Sequence, residues 1–376
     1  MTTIQLPPVD VEPEPRSDVA AEELHEPSAP ERPRKIRGLS FEHSATMIGS
    51  VVASLALDWL VYERLLAFSG TFGFLVCWYA LFLAFVGVLT SLSYPRPIVV
   101  DRLIAGVVAG GAGIVGIAVA TTVIFTFVKG WPALQHWNFF VHDMAGVRPN
   151  DPLTKGGIGH AALGSAIQVG IAVLISLPLG IATAVYMTEV GGRLSQIVRT
   201  VVEAMTALPD ILAGLFVYVL LIIQFHMAKD GFAVAIALAV TMIPIIARSA
   251  DVTLRVVPGG LREAGLALGA TQWQVVRRVV LPTARSGLST ALILGVARAA
   301  GETAPLLIVS GASTFYNRNP FNNNMNSLPL FIYSAVKSPN PLFVQRGYGA
   351  AAVLLVLVLV LFVITRIMAR DKVRSR

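Results

Sequence analysis

The chain has 376 residues, of which 55% are hydrophobic and 14% are charged, and its mean hydropathy is +0.70. Because soluble domains contain about 25% charged residues, this composition excludes an ordinary soluble domain and indicates a membrane protein. The net charge of +7 does not favour nucleic-acid binding, since the basic residues lie mostly in short segments between apolar runs. The single cysteine, Cys77, excludes a disulfide within the chain and a cysteine-based metal site.

Residues 1–40 differ in composition from the rest of the chain. They are rich in proline, glutamate and alanine and contain no long apolar run. Such a segment buries too little apolar surface to offset the entropy that it would lose on ordering. We therefore predict a disordered cytoplasmic tail over these residues.

Long apolar runs recur from residue 41 onward, and a helix needs about 20 such residues to cross a bilayer. The pattern predicts an all-α polytopic membrane protein. Eight membrane helices are expected, at about 45–67, 70–93, 103–128, 158–188, 201–226, 231–248, 287–311 and 347–367. We group the first two as additional helices within residues 41–98 and the other six as a second domain at residues 99–376.

The distribution of lysine and arginine predicts the orientation of the chain. If the N-terminus is cytoplasmic, the inside segments contain most of the basic residues, including Arg277, Arg278 and Arg285, and the outside loops contain fewer. Because cytoplasmic loops carry an excess of lysine and arginine, both termini are expected in the cytoplasm.

The sequence gives no support for a nucleotide-binding or metal site. The G-x-G-x-x-G match at Gly111–Gly116 lies in an uncharged run with no preceding strand, and it is interpreted as a helix-packing surface. No lysine stands between a glycine and a serine or threonine, so a phosphate-binding P-loop is absent. His142 and Asp143 are adjacent but have no third ligand nearby in sequence. If ATP drives this protein, another chain must bind the ATP.

The predicted inside loop at residues 249–286 is long and basic for this chain. Within it, Leu261, Gly265, Leu268 and Gly269 follow helical spacing and form a narrow apolar face with small residues. That face is typical of a helix that docks closely on a partner. The alternative is an interfacial helix lying on the inner leaflet.

The same loop resembles the cytoplasmic loop of ABC importer permeases, whose pattern is E-A-A, three residues, G, nine residues, I, one residue, L-P. The matching positions are Glu263, Ala264, Gly265, Gly269, Val279, Leu281 and Pro282. The chain departs from the pattern at Gly265, where alanine is expected, and at Val279, where isoleucine is expected. Pro282 is expected to end the helical stretch before it.

The resemblance implies a binding-protein-dependent ABC importer permease in a bacterial inner membrane. The family's fold is a core of six membrane helices, and the residues of the matching loop would form a coupling helix on an ATPase. The implied partners are a second permease subunit, a pair of ATPase subunits that bind ATP and Mg²⁺, and an extracytoplasmic binding protein. This chain itself is then a permease and not an enzyme.

Arg298 and Glu302 stand four residues apart near the middle of the seventh predicted helix, on one helix face. Inserting an arginine at the centre of a membrane helix costs about 2.5–3.5 kcal/mol of free energy. Arg298 is therefore expected to face a partner or a water-filled cavity. One interpretation is a structural ion pair that holds helices together. The other is a guanidinium that binds a passing oxyanion, which Glu302 holds or releases.

The segment from Ala297 to Leu306 is similar to the A-R-A-x-G-E-T-A-P-L signature of the phosphate permeases. The resemblance assigns Arg298, Glu302, Thr303 and Arg248 to the substrate path and implies inorganic phosphate as the substrate. Arg248 either faces the path or extends to the inner surface. Asp210 lies in a second similar segment that begins Leu208-Pro209, and it either pairs with an arginine or lies away from the path.

Three alternative functions remain at the level of the sequence. The transported anion could be sulfate, molybdate or another oxyanion. A secondary transporter could use Glu302 and Asp210 to carry ions, although such a carrier has no ATPase to dock. A membrane scaffold is suggested only by the two additional helices, and it leaves Arg298 unexplained.

Overall fold

The computed structural model describes residues 41–65 and 70–370 of the chain. The predicted disordered tail, residues 1–40, lies outside the described residues. All regular elements in the described ranges are helical. The α-helices are α1 Phe41–Trp59, α2 Thr71–Ser93, α3 Arg96–Leu134, α4 Trp137–Val141, α5 Gly159–Val185, α6 Gly192–Ala207, α7 Asp210–Val217, α8 Gly231–Arg255, α9 Gly259–Ala267, α10 Gln272–Val275, α11 Leu281–Gly301, α12 Ala304–Val309, α13 Leu328–Val336 and α14 Pro341–Arg370. The π-helical turns are Leu60–Leu65, Tyr186–Val190, Tyr218–Gln224 and Val276–Val280.

The chain divides into two compact units, Met1–Val115 and Gly116–Arg376. In the described part of the first unit, α1 packs against α2 through a buried stripe of small polar residues. Ser50, Ser54 and Asp58 recur every four residues along α1 and are at most 1% exposed. These side chains let the two helices approach closely, as small residues do in membrane helix pairs.

Six described helices are long and apolar enough to cross a membrane, judged by length and composition. They are α2, α3, α5 with its π turn, α8, the continuous helix Gln272–Gly301, and α14. A seventh span results if α6 and the helix after it, Asp210–Gln224, are counted as one. Five of the six predicted core helices are among these spans, and the sixth, predicted at 201–226, corresponds to the bent pair. Of the two additional helices, α2 is a candidate span and α1 is not.

Two of the predicted membrane helices are interrupted in the structure. The predicted helix 201–226 consists of two helices that meet at an angle of 103°. The predicted helix 287–311 ends at Gly301, and Glu302 has extended backbone angles (φ −67°, ψ 128°) before α12 begins. Two other helices are longer than predicted, since α8 continues to Arg255 and the long helix after α9 already begins at Gln272.

The second unit is organised around α8. In its most apolar stretch 67% of residues are buried, compared with 22% for α5, and α8 packs against α5, α6, α7, α11 and α12. Small residues permit this close packing: a Cβ at Gly180 of α5 or Gly295 of α11 would lie within 3 Å of Ile246. The central position of α8 holds the functional elements described next in fixed relation to one another.

Candidate functional site

A cleft of about 690 Å³ in the second unit is bordered by α6, α7, α8 and α11. Its lining is apolar except for four side chains, those of Thr206, Asp210, Thr241 and Arg298. We call this space the Arg298 cleft. A mostly apolar concave site with a few convergent polar groups is the usual form of a small-molecule site.

Arg298 contacts two carboxylates from the last turn of α11. Its Nη2 donates to Asp210 Oδ2 at 2.6 Å, and its Nε lies 3.2 Å from Glu302 Oε1. The exposed fractions of the side chains are 50% for Arg298, 31% for Asp210 and 10% for Glu302. Because a guanidinium has five N–H donors, these two contacts leave donors for another acceptor in the cleft.

The bend between α6 and α7 places Asp210 beside Arg298. Leu208 and Pro209 both have extended backbone angles, with ψ of 136° and 132°. Pro209 has no N–H to donate and disfavours helical angles at the residue before it, so α6 stops there. Asp210 then begins α7, where the positive end of the helix dipole stabilises its carboxylate.

The packing of α12 on α7 holds Glu302 near Arg298 and Asp210. A Cβ added to Gly214 of α7 would lie 2.6 Å from Cα of Pro305 in α12. Such proximity requires glycine at this position. The two segments that resemble phosphate permeases, one beginning at Leu208 and the other at Ala297, are distant in sequence but lie against each other.

The other two predicted path residues lie apart from Arg298. Arg248 is exposed and follows Pro244 and Ile245, which line the Arg298 cleft, on the same face of α8. It forms no hydrogen bond or ion pair with any described residue. Thr303 instead lines a separate cavity of about 590 Å³, together with residues of α13 and α14.

The predicted coupling residues form a compact structure around α9. Glu263 and Ala264 are exposed on α9, which ends in a Schellman motif. In that motif Gly269 N donates to Leu266 O at 2.9 Å and Ala270 N donates to Gly265 O at 3.2 Å. Gly269 has a φ of +82°, a conformation that other residues adopt only at a cost, so the glycine of the loop pattern is the residue that ends the helix.

The turn after α9 starts the next membrane helix. Thr271 and Gln274 form a capping box, with Thr271 N donating to Gln274 Oε1 at 2.9 Å and Gln274 N donating to Thr271 Oγ1 at 3.3 Å. α9 lies so close to this helix that a Cβ at Gly265 would be 2.9 Å from Val275 Cγ2. The departure from the loop pattern at Gly265 therefore has a steric reason in this chain.

Arg262 attaches α9 to the ends of two membrane helices. It donates to Glu189 Oε1 from Nε at 3.1 Å and from Nη2 at 3.0 Å. It also donates to the carbonyl oxygens of Leu254 and Val257, at 2.9 and 2.7 Å. These charge-assisted bonds join α9 to the end of α5 and the end of α8, so a displacement of α9 would be transmitted to both.

Several large apolar side chains on and next to α9 are exposed. Leu268 is 89% exposed and Trp273 64%, and Leu261 and Leu266 are also exposed. Groups of exposed apolar side chains are common at protein–protein and membrane interaction sites. These four side chains form an exposed apolar surface on and next to α9.

The prediction that Pro282 ends a helix is wrong. Leu281 and Pro282 lie inside the continuous helix Gln272–Gly301, directly after the π-helical turn Val276–Val280. The wider turn accommodates the proline ring and the missing N–H without breaking the helix. Leu281 is half-buried, and Pro282 is exposed.

The structure contains no candidate metal centre within its described ranges. No group of three or more histidine, cysteine, aspartate or glutamate side chains converges there. The candidate functional features among the described residues are the Arg298 cleft and the surface around α9.

Residues 176–372 match the family described as the binding-protein-dependent transport system inner membrane component. The chain belongs to this family. It is 39% identical over 231 residues to the phosphate transport system permease protein PstA 1 of Mycobacterium tuberculosis (strain CDC 1551 / Oshkosh), covering 61% of this chain and 75% of that protein. It is 37% identical over 262 residues to the phosphate transport system permease protein PstA of Haemophilus influenzae, covering 69% of this chain and 90% of that protein.

Solved structures of other transporters are also similar to this chain. The alignment with a chain of the MetNI methionine ABC transporter, in an inward-facing conformation, covers 57% of this chain and 94% of that chain. The TM-score is 0.46 and the sequence identity is 22%.

Membership of the family confirms two predictions made from the sequence. The chain is a multi-pass inner-membrane component of a binding-protein-dependent transport system, with an all-α fold. It is a permease subunit and not an enzyme, as the names of the two relatives also indicate for those proteins. The matched residues include both the Arg298 cleft and α9.

A charge cluster centred on Asp251 was not predicted from the sequence of this permease. The Asp251 carboxylate accepts hydrogen bonds from Arg199 at 2.8 and 3.2 Å and from Arg255 at 3.1 and 3.2 Å. Its side chain is only 8% exposed. The spacing of Asp251 and Arg255 at i and i+4 was visible in sequence, but the partner on α6 was not.

A second residue that the sequence patterns did not single out is Arg346, at the start of α14. Arg346 is 0% exposed, and its Nη2 donates to the carbonyl oxygens of Asp151, Pro152 and Lys155 at 2.9–3.0 Å. It fastens the segment before α5 to the start of α14. In the sequence, Arg346 stands just before a long apolar run, and this position does not indicate that its side chain is buried.

Proposed function

We propose that this chain is the transmembrane permease subunit of an ATP-driven importer of inorganic phosphate. The observation that supports it best is a half-exposed guanidinium, that of Arg298, in a cleft that is otherwise largely apolar. A guanidinium binds phosphate through paired donors. The relatives from M. tuberculosis and H. influenzae are both phosphate transport permeases by name.

The proposed substrate path runs along the Arg298 cleft. Arg298 binds the oxyanion, and Glu302 orients the guanidinium from the more buried side. Arg248 extends the path by one turn along α8, where it has no competing ion pair among the described residues. Thr303 is a proposed path residue that lines the neighbouring cavity of about 590 Å³. It lies between α11 and α12, where the chain changes direction.

The proposed coupling surface consists of Glu263, Ala264, Gly265 and Gly269 on α9, together with Leu281 and Pro282 behind it. Here an ATPase subunit that binds ATP and Mg²⁺ docks on the exposed apolar side chains and on Glu263. Arg262 passes the movement of α9 to α5 and α8 through its bonds to Glu189 and Leu254. The permease itself binds no nucleotide in this proposal.

The remaining partners follow from the same proposal. A second permease subunit of similar core completes the path, and an extracytoplasmic phosphate-binding protein delivers the anion. The α9 side of the membrane is then cytoplasmic, as are both termini, which agrees with the arginines near α9. Residues 41–98 form two additional helices outside the permease domain at residues 99–376.

Uptake of radiolabelled phosphate in cells that depend on this transporter tests the substrate path. Arg298→Gln is expected to lower uptake at least about tenfold while the complex still assembles, because loss of a charge-assisted contact is worth more than 1.4 kcal/mol. Arg285→Gln is the matched control, since Arg285 is an exposed arginine on the same helix. Uptake by Arg298→Gln at the level of the control would contradict the proposed path.

Competition by other anions tests the identity of the substrate. Phosphate uptake by the wild-type transporter is expected to persist in excess sulfate or molybdate. Inhibition by either anion would show that the path is not selective for phosphate, and a wild type that imports no phosphate would reject phosphate as the substrate.

Copurification tests the coupling surface separately. Glu263→Lys is expected to release the ATPase subunits from the purified complex, because it reverses an exposed charge in the docking surface. Glu203→Lys makes the same change at an exposed position of α6. If Glu263→Lys retains the ATPase subunits as well as Glu203→Lys does, the assignment of α9 is incorrect.

A further inference from the structure

Asp210 and Glu302 both contact Arg298, but they do so from different sides. Asp210 lines the Arg298 cleft, together with Arg298 itself, and Glu302 does not. Glu302 is 10% exposed and belongs to the chain segment that follows Arg298, whereas Asp210 is 31% exposed and belongs to α7. An anion that enters through the cleft therefore meets Asp210 at the open side of the guanidinium.

The two carboxylates make the charge at this site unfavourable for an anion. One guanidinium faces two carboxylates. With all three groups ionised, the site has a net charge of −1 and would repel an incoming anion. Departure of one carboxylate would lower this repulsion and free a further donor of Arg298, and Asp210 is the carboxylate that lines the cleft.

The local structure permits this exchange. The pair of Arg298 and Asp210 is partly exposed on both sides, and partly hydrated ion pairs exchange readily. Asp210 directly follows the 103° bend at Pro209, so its carboxylate can move without disturbing the contact between Arg298 and Glu302, which are four residues apart in sequence.

We propose that Asp210 is a specificity-determining residue that occupies Arg298 in place of the transported anion when the path is empty. This inference rests on the proposed function, since it requires phosphate to reach Arg298. A tethered carboxylate competes at a high effective concentration, so free monocarboxylates do not displace it. Phosphate, with more charge and more acceptor oxygens, does.

Chemical modification of Arg298 tests the proposal on the purified, reconstituted complex. Phenylglyoxal reacts with free guanidines, and mass spectrometry of the peptide containing Arg298 measures the extent of reaction. Inorganic phosphate is added over a range of concentrations to find the one that halves the rate of modification. Asp210→Asn removes the charge at nearly constant size, and Glu203→Gln is the control, an exposed carboxylate of α6 outside the cleft.

In Asp210→Asn we expect phenylglyoxal to modify Arg298 faster than in the wild type. The phosphate concentration that halves the rate of modification is expected to be up to about fivefold lower than in the wild type, which is the ratio that corresponds to loss of a partly exposed ion pair. Acetate is expected to protect Arg298 in this variant but not in the wild type. Glu203→Gln should behave as the wild type in both respects. Asp210→Ala is expected to change protection in the same direction, whereas a structural role of Asp210 would weaken protection by phosphate.

Two outcomes would overturn the inference, and they differ in what they say of the proposed function. If phosphate protects Arg298 equally in the wild type and in Asp210→Asn, or less well in the variant, Asp210 is not a competitor and the phosphate path stands. If phosphate protects Arg298 in none of the proteins, the inference fails together with the proposed phosphate path.

Discussion

Gly214 and Pro305 lie so close together that a Cβ on Gly214 would be 2.6 Å from Cα of Pro305. This contact joins α7, which begins with Asp210, to α12, which follows Glu302. The backbone of Pro305 cannot move aside as a flexible side chain would. The relative positions of the two carboxylates around Arg298 therefore depend on the absence of a side chain at residue 214.

Gly214→Ala is expected to destabilise the permease by about 1–3 kcal/mol, as overpacking of a close contact does, and to lower phosphate uptake. The midpoint of thermal unfolding in detergent measures the first effect. Gly170→Ala on α5, where an added Cβ has no neighbour within 4 Å, is the matched control. Equal midpoints for the two variants would show that α7 and α12 are not held by this contact.

Gly265→Ala restores the residue expected from the loop pattern, but in this chain the new Cβ would lie 2.9 Å from Val275 Cγ2. We expect the variant to weaken association with the ATPase subunits by about 1 kcal/mol or more, because α9 must shift to relieve the contact. Quantitative copurification with the ATPase subunits measures the loss.

Val275→Ala combined with Gly265→Ala tests the steric cause. The smaller side chain at residue 275 makes room for the new Cβ, so the double variant is expected to recover much of the association lost by Gly265→Ala. A double variant that binds no better than Gly265→Ala would place the cause elsewhere.

Gly269→Ala is expected to destabilise the end of α9 by about 1–2 kcal/mol. Gly269 has a φ of +82°, and this left-handed conformation is unfavourable for alanine because of its Cβ. Protection of α9 amides from hydrogen exchange should decrease. Gly260→Ala is the control within the same helix: Gly260 has no neighbour within 4 Å of an added Cβ and no positive φ. It is expected to stabilise α9 slightly, so a decrease in both variants would argue against the Schellman motif as the cause.

Asp251→Asn should destabilise the permease by about 1–2 kcal/mol, since hydrogen bonds to a charged group contribute more than neutral ones and the arginine partners are partly exposed. The variant loses the charge that holds Arg199 and Arg255 together. The midpoint of thermal unfolding in detergent provides the measurement. Asp101→Asn, at an exposed aspartate of α3, should leave the midpoint unchanged, and a similar decrease in both would indicate a general charge effect.

The positions of the membrane helices were largely predictable, because long apolar runs have few alternatives in a bilayer. The interruptions were harder to predict. Leu208-Pro209 lies in an apolar run that also suits one continuous helix, and proline bends some membrane helices and not others. At Pro282 the same residue type lies inside a continuous helix, where the preceding π-helical turn accommodates it.

The candidate site was predictable in part. The i,i+4 spacing of Arg298 and Glu302 predicted their contact, which the structure confirms at 3.2 Å. Asp210 was left with two possible positions, because it pairs with Arg298 across 88 residues. Thr303 follows Glu302 directly but faces another cavity, because the extended backbone at Glu302 turns the chain away from the Arg298 cleft.

By itself, the sequence determined the class of the molecule: an all-helical membrane permease whose motifs mark Arg298 and α9. These features depend on composition and on short spacings, which are local properties of a chain. Only the tertiary structure decided that Asp210 shares the guanidinium of Arg298, that Arg199 and Arg255 share Asp251, and that Arg346 is buried. Each of these depends on which helix faces meet after folding, and this is set by the close approach of small residues such as Gly180, Gly214 and Gly295 on distant helices.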